Sequence, residues 1–278
     1  MLVAVNRLRL RNGWRCAVPP ELTLLLAFTP RLRKTPVGLG RLGMPATKYK
    51  VLAVGPQVAN TATAPVYVSI AGVAKKSQPA TPYIVVNELI SNALARMLVL
   101  PCPPGALMHQ GAETYFFSLD FNLAGQSLPP ISPAFIVKTF PRKAWGIILF
   151  DALIMNTDRH RQNIAHDTVT NQIQIFDHSH ALLTPAGDIT QRLQNAAGTL
   201  AIGGHCLAQE IDTDDGRDFW LQRIKLIPDF FIEEVVAAAV DCGLPPNRKD
   251  LLASFMKNRR DNLDKIVATN KPLFLRLP

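Results

Sequence analysis

Cysteine is scarce in this 278-residue chain: Cys16, Cys102, Cys206 and Cys242 are far apart, with no paired spacing. That pattern excludes a disulfide framework and a zinc knuckle, and it makes a reducing cytoplasm the expected location. Acid is nearly absent from residues 1–43, where Glu21 stands alone against eight Arg and Lys side chains, and serine is absent there altogether. The longest apolar run in that stretch, Leu22 to Phe28, is broken by Thr23 and too short for a bilayer. Signal peptide, transit peptide and membrane span are therefore not expected. Residues 1–43 read instead as a basic extension outside the fold, with a true start at Met44. Seven of the nine net positive charges fall in this stretch, leaving residues 44–278 close to neutral. Without a cationic face interleaved with aromatics, the folded body is expected to make no nucleic-acid contact. Internal repeats and heptads are lacking as well. What is present, 48% apolar and 18% charged residues, suffices for one or two cores and excludes a disordered chain.

The chemistry is concentrated in Asn156-Thr157-Asp158-Arg159-His160-Arg161-Gln162-Asn163, followed fourteen residues later by Asp177 in Ile175-Phe176-Asp177-His178. An acid, an amide five positions on and a second acid after an apolar strand form the ligand set of a phosphoryl-transfer site. Ile164 to Phe176 alternates on both sides of a Thr/Asn turn and predicts a β-hairpin. The midpoint of 163 and 177 falls in that turn, so the spacing predicts Asn163 and Asp177 side by side at the open end. Mg²⁺ or Mn²⁺ would take the Asp carboxylate and the Asn carbonyl as hard oxygen ligands, with water and ATP phosphates completing the shell. Trp145 to Met155 is apolar at helical length, which would present Asp158 on a loop between a buried helix and the hairpin. There it would orient, or deprotonate, the acceptor hydroxyl.

Two competing motifs carry less. Gly38-Leu39-Gly40-Arg41-Leu42-Gly43 fits the dinucleotide fingerprint, but no strand precedes it and Met44-Pro45-Ala46-Thr47 opens a helix poorly. His178-Ser179-His180 would place two imidazoles on one strand face, the beginning of a metallohydrolase site. No third ligand array such as His-x-x-Glu-His accompanies it.

The segment Phe150 to Leu182 resembles the catalytic and metal-binding segment of HipA-like kinases, and its D-R-H-x-x-N core also resembles that of phosphatidylinositol 3- and 4-kinases. Pro82 to Pro101 is similar to the family's first helix, and Trp220-Leu221-Gln222-Arg223-Ile224 with the last helix is similar to its C-terminal region. The similarity covers about residues 60 to 270 and is strongest over the 33-residue block from Phe150. It implies Asp158 as catalytic acid with His160 supporting the loop, Asn163 and Asp177 as metal ligands, and Glu88 as partner of an ATP-phosphate lysine. Lys75 and Lys76 both follow a strand-like run and are the candidates for that lysine. Val73 shares a strand face with Lys75, which favours it. Glycine is thin before them, with only Gly72 and Gly55, so phosphate contacts would fall to Thr61, Thr63 or backbone amides.

The resemblance implies an α+β, two-lobed protein-kinase-like fold. Residues 44–122 would form a small strand-rich N-lobe with one helix from Tyr83 to Leu100, and residues 123–278 a mostly helical C-lobe. Helices are expected over Phe230 to Ala239 and Asp250 to Val267. The implied activity is ATP- and Mg²⁺-dependent transfer of a phosphoryl group to a hydroxyl, in the family a protein Ser or Thr. A regulatory or antitoxin partner and toxin-like behaviour are looser implications. The alternative from another class is a non-catalytic nucleotide-binding module that acts through a partner protein.

Overall fold

The computed structural model describes residues 49–121, 130–168, 171–184 and 188–277. The chain divides after Ala46, and the fold below belongs to the unit that starts at Thr47. The basic extension, the Met44 start and the glycine motif of residues 38–43 lie outside the described residues.

Strands β1 (Val51–Gln57) and β2 (Val66–Ile70) form an antiparallel hairpin whose residues are all exposed. One residue on, β3 (Gly72–Lys76) joins a separate sheet with β4 (Gly105–Gln110) and β5 (Glu113–Leu119), in the order β3-β5-β4 and antiparallel throughout. Gly72 is required where β3 passes β5: a Cβ there would collide with the Phe117 ring. Helix α1 (Ile84–Met97) lies between β3 and β4 in sequence and packs on all three strands. Val86, Ile90 and Leu94 recur at helical spacing and are fully buried. The helix ends where Val99 takes φ 59° and Pro101 follows.

The remainder is helical apart from one hairpin: α2 (Pro133–Thr139), α3 (Pro141–Leu153), β6 (Ile164–Asp167), β7 (Gln172–Ile175), α4 (Ile189–Ala196), α5 (Arg217–Lys225), α6 (Asp229–Ala238) and α7 (Lys249–Thr269). Helix α3 is buried on every side from Ala144 to Leu153, which is why its sequence reads as a continuous apolar run instead of a stripe. Helices α5 and α7 cover it, and Gly146 lets the Trp220 ring lie against its backbone. Among the described residues no helix is long and apolar enough to cross a membrane.

Candidate active site

Strand alternation separates the two candidate lysines. Lys75 Nζ lies 2.6 Å from Glu88 Oε1 on α1, 2.7 Å from Asp177 Oδ1 and 3.1 Å from Ser179 Oγ. Lys76 turns to the other face and pairs at 2.8 Å with the exposed Glu113. Burial alone would lower the Lys75 pKa, but the Glu88 and Asp177 carboxylates outweigh it and raise the value above 10.5. Burial likewise pushes Glu88 up, while His178 and then Lys75 pull it down to about 2. Asp177 is also held below its ordinary value, with burial opposing and Lys75 prevailing. The Glu88 carboxylate has further donors: Ser179 Oγ at 2.9 Å and the His178 backbone N–H at 3.0 Å, both to Oε1.

The acid-bearing loop is built on a buried charge cluster that the sequence reading missed. Asp151, in the last turn of α3, and Arg159 are both fully buried and joined by two bonds of 2.7 and 3.0 Å. His205 Nε2 lies 3.0 Å from Asp151 Oδ2, and Asn156 Nδ2 donates to Asp151 Oδ1 at 2.9 Å. The remaining arm of Arg159 donates to the carbonyls of Asn163, at 2.9 Å, and Phe176, at 2.7 Å. One guanidinium therefore ties helix α3, the acid loop and the hairpin's open end together. Asp151 interrupts an apolar run, but nothing in the sequence pairs it with Arg159 or His205.

That clamp leaves Asp158 half-exposed, with its backbone N–H bonded to Asn156 Oδ1 at 3.2 Å. Asn163 Nδ2 donates to the Asp158 carbonyl at 2.8 Å, so the amide oxygen faces elsewhere. His160 Nδ1 accepts from the Gln162 N–H at 3.2 Å and caps the short 3₁₀ turn Arg161–Asn163, while its Nε2 is 4.0 Å from Asp158 Oδ2. His160 thus shapes the loop.

The hairpin forms with a register one residue off the expected one. Ile164 pairs with Ile175, so Asn163 stands opposite Phe176, whose N–H bonds the Asn163 carbonyl at 3.3 Å. Asp177 is not directly across from Asn163. Strand β7 stops at Ile175, and Asp177 takes φ 60°, a left-handed conformation that Asp tolerates better than most residues. The chain there leaves the strand and carries the carboxylate to Lys75. His178 and His180 consequently do not share a strand face. His178 is buried with its ring edge-on to Phe150, whereas His180 is exposed. Among the described residues no cluster of three His, Cys, Asp or Glu side chains can hold a metal ion.

A cleft of about 620 Å³ joins these parts. Val73, Lys75 and Phe116 line it from the sheet, Leu119 to Phe121 along one edge, and Ile164, Phe176 and Asp177 from the hairpin side. Val73 and Lys75 do share the cleft-facing side of β3. Neither Thr61 nor Thr63 lines it. Cys102 does, but burial pushes its thiol up to about 12, which makes it unreactive.

No family model and no curated protein matches this chain. Solved structures do. The crystal structure of the Helicobacter pylori proinflammatory kinase CtkA is similar at 14% identity and TM-score 0.52, over 74% of this chain and 94% of that one. A chain of the Shewanella oneidensis toxin–antitoxin complex of HipA, HipB and operator DNA is matched at 13% identity and TM-score 0.40, over 73% of this chain and 61% of that one. The first likeness shows the fold: this chain has a two-lobed, kinase-like α+β architecture, with a small strand-rich half and a mostly helical half.

Proposed function

We propose that this protein is an ATP-dependent phosphotransferase in which Asp158 handles the acceptor hydroxyl. The observation that carries the reading is Lys75 Nζ held between Glu88 at 2.6 Å and Asp177 at 2.7 Å within the cleft. A lysine fixed by a helix acid beside a second acid is the arrangement that receives nucleotide phosphates. Residues 44–122 would form the nucleotide-binding lobe and residues 123–278 the lobe carrying the acids.

The donor set fits a hard divalent ion bound together with phosphates. Asp177 and the free amide oxygen of Asn163 are two oxygen donors, and two protein ligands suit Mg²⁺ or Mn²⁺ in a nucleotide site better than an all-protein cage. Bound there, the ion would neutralise charge on the phosphates. Lys75 would contact phosphate oxygens, and Asp158 would align the acceptor and take its proton as the hydroxyl oxygen bonds to the γ-phosphorus and ADP departs. His160 would keep the loop in shape. A protein Ser or Thr is the acceptor this reading favours.

A non-catalytic nucleotide-binding module is the second reading, and a cleft lining that lacks Thr61 and Thr63, the side chains expected to supplement the scarce glycines at the phosphates, favours it. Labelled ATP with Mg²⁺ or Mn²⁺ separates the two. Transfer of label to protein or peptide, abolished in Asp158→Asn, supports the phosphotransferase. ATP binding without transfer to any acceptor or to water selects the module.

A further inference from the structure

Beside the acid loop, on the helical side, lies a second groove of about 440 Å³ lined by Met155, Thr157, Gln191, Arg192, Asn195 and Thr199. Thr157 immediately precedes Asp158, so one wall of the groove is the loop that presents the proposed catalytic acid. Two of the wall residues, Met155 at φ 52° and Ala201 at φ 56°, hold left-handed backbone without being glycine. Such conformations persist only where the surroundings impose them, and they concentrate at functional sites.

The charge of the groove is one-sided. Arg192 is half-buried, anchored through Nε to the Leu182 carbonyl at 2.8 Å, and no carboxylate among the described residues pairs with it. Among the described residues its two terminal amino groups have no partner and remain as donors in a fixed fork. Behind the wall, Arg259 is fully buried and satisfied by carbonyls alone: Ala152 at 2.7 Å, Ala196 at 2.8 Å and Thr199 at 2.7 Å. It too has no acid among the described residues. Elsewhere the buried guanidinium of Arg159 has Asp151, and Arg260 has Asp229 and Asp261. The acid of the groove, Asp188, is occupied by the Thr190 N–H at 2.9 Å and by Arg248 at 3.4 Å. Among the described residues, Arg192 therefore lines an open, amide-rich trough beside Thr157 with no carboxylate paired to it, and Arg259 lies behind the trough, bonded to the carbonyls of its wall residues Ala196 and Thr199. Burial lowers the pKa of both, as expected when no carboxylate compensates; a guanidinium in a protein keeps its charge all the same.

From this we infer that the groove seats the phosphate acceptor, and that the acceptor is an acidic peptide segment: a Ser or Thr with an Asp or Glu close by, its carboxylate on Arg192. Gln191 Nε2 donates to Asn195 Oδ1 at 2.8 Å and Thr199 Oγ1 donates to the Ala196 carbonyl at 3.2 Å, which leaves the Asn195 Nδ2 donors and the Gln191 Oε1 and Thr199 Oγ1 acceptors for the main chain of an extended segment. The inference rests on the phosphotransferase reading and specifies its substrate class.

The test uses three synthetic peptides with one central Ser, flanked by Asp, Ala or Lys, and labelled ATP with Mg²⁺. The wild-type protein should show the lowest KM for the Asp-flanked peptide and the highest for the Lys-flanked one. Arg192→Gln should shrink the KM ratio between the Ala- and Asp-flanked peptides by about tenfold, the worth of one charge-assisted contact. Arg192→Glu should invert the ranking. A KM series indifferent to peptide charge, or a ranking unchanged in both variants, overturns the inference while leaving phosphotransfer intact. Should no peptide be phosphorylated, fluorescence anisotropy with the same three peptides decides. Charge-ranked binding lost in Arg192→Gln upholds the groove, and absence of wild-type binding overturns it. The phosphotransferase reading fails on a different result: no loss of the γ-phosphate from ATP to any acceptor.

Discussion

The ammonium of Lys75 touches the carboxylate of Asp177 at 2.7 Å although 102 residues separate them in the chain. The contact joins the strand-rich half to the residue that follows the hairpin of the helical half. Both side chains are about one-third exposed, so solvent screens much of the pair's attraction. Its importance is positional: with Glu88 and Ser179 it fixes the place of one cation among three oxygen-bearing side chains.

The two neighbouring lysines should separate cleanly in kinetics. Lys75→Gln is expected to raise the KM for ATP by roughly tenfold or more, since a charge-assisted phosphate contact is lost. Lys76→Gln removes only an exposed pair with Glu113, and the same steady-state assay should register less than about a twofold change.

Asp177 and Asp158 should fail in different ways. Asp177→Asn is expected to weaken Mg²⁺-dependent ATP binding, measured by calorimetry with and without Mg²⁺. Asn is the suitable replacement because the φ of 60° there tolerates Asn better than Ala. Asp158→Asn should spare that binding and lower transfer by about 10²-fold or more, the range of a lost general base. Equal loss of ATP binding in both variants contradicts this division of roles.

Arg159→Met should be severe for stability. It strands the buried Asp151 carboxylate and frees two carbonyls, with an expected cost of about 3–5 kcal/mol in urea unfolding. Pairing it with Asp151→Leu should recover part of that loss, because the unpaired buried charge disappears. A double variant no more stable than the single one counts against the buried pair as the cause.

Acid should destabilise the fold through Glu88. Its pKa is lowered from 4.5 to about 2, so the folded carboxyl binds a proton less readily than the unfolded one. The stabilisation is complete above pH 4.5 and drains away as pH falls toward 2. Asp151, also held low, adds to the slope in the same sense. Urea midpoints measured from pH 7 to pH 2 should show it, and Glu88→Gln should flatten the acid limb. An acid limb as steep in Glu88→Gln as in the wild type would assign the slope to other groups.

Local pattern made much of this legible in advance. The hairpin, the buried α3 and the last two helices follow from apolar periodicity; the last two end within a residue or two of expectation, as in Asp229–Ala238 against Phe230 to Ala239, while α3 starts at Pro141, four residues before the expected Trp145. The placement of Lys75 with Val73 on the cleft side of β3 followed from strand alternation. Register was harder. A turn centred on residue 170 and one centred half a residue earlier look alike in sequence, and only the packing of Ile164 against Ile175 decides between them. The Asp151–Arg159–His205 cluster was not legible at all, because its members are held together by tertiary burial and not by spacing. The groove at Arg192 likewise depends on what is missing around a guanidinium, which no sequence displays.

The β1–β2 hairpin bears on how the protein can be handled. From Val51 to Ala74 the chain has no Asp, Glu, Lys, Arg or His, and the two strands expose Val54, Tyr67 and Val68 to water. Natural sheets guard such edges with lysines or prolines, and within these strands only Pro56 does so. Colloidal behaviour at high concentration is therefore expected to depend on this short hairpin, no residue of which lines the cleft. Combining Val54→Lys with Val68→Glu, at positions that face each other across the pair, offers a route to concentrated samples that leaves the cleft untouched.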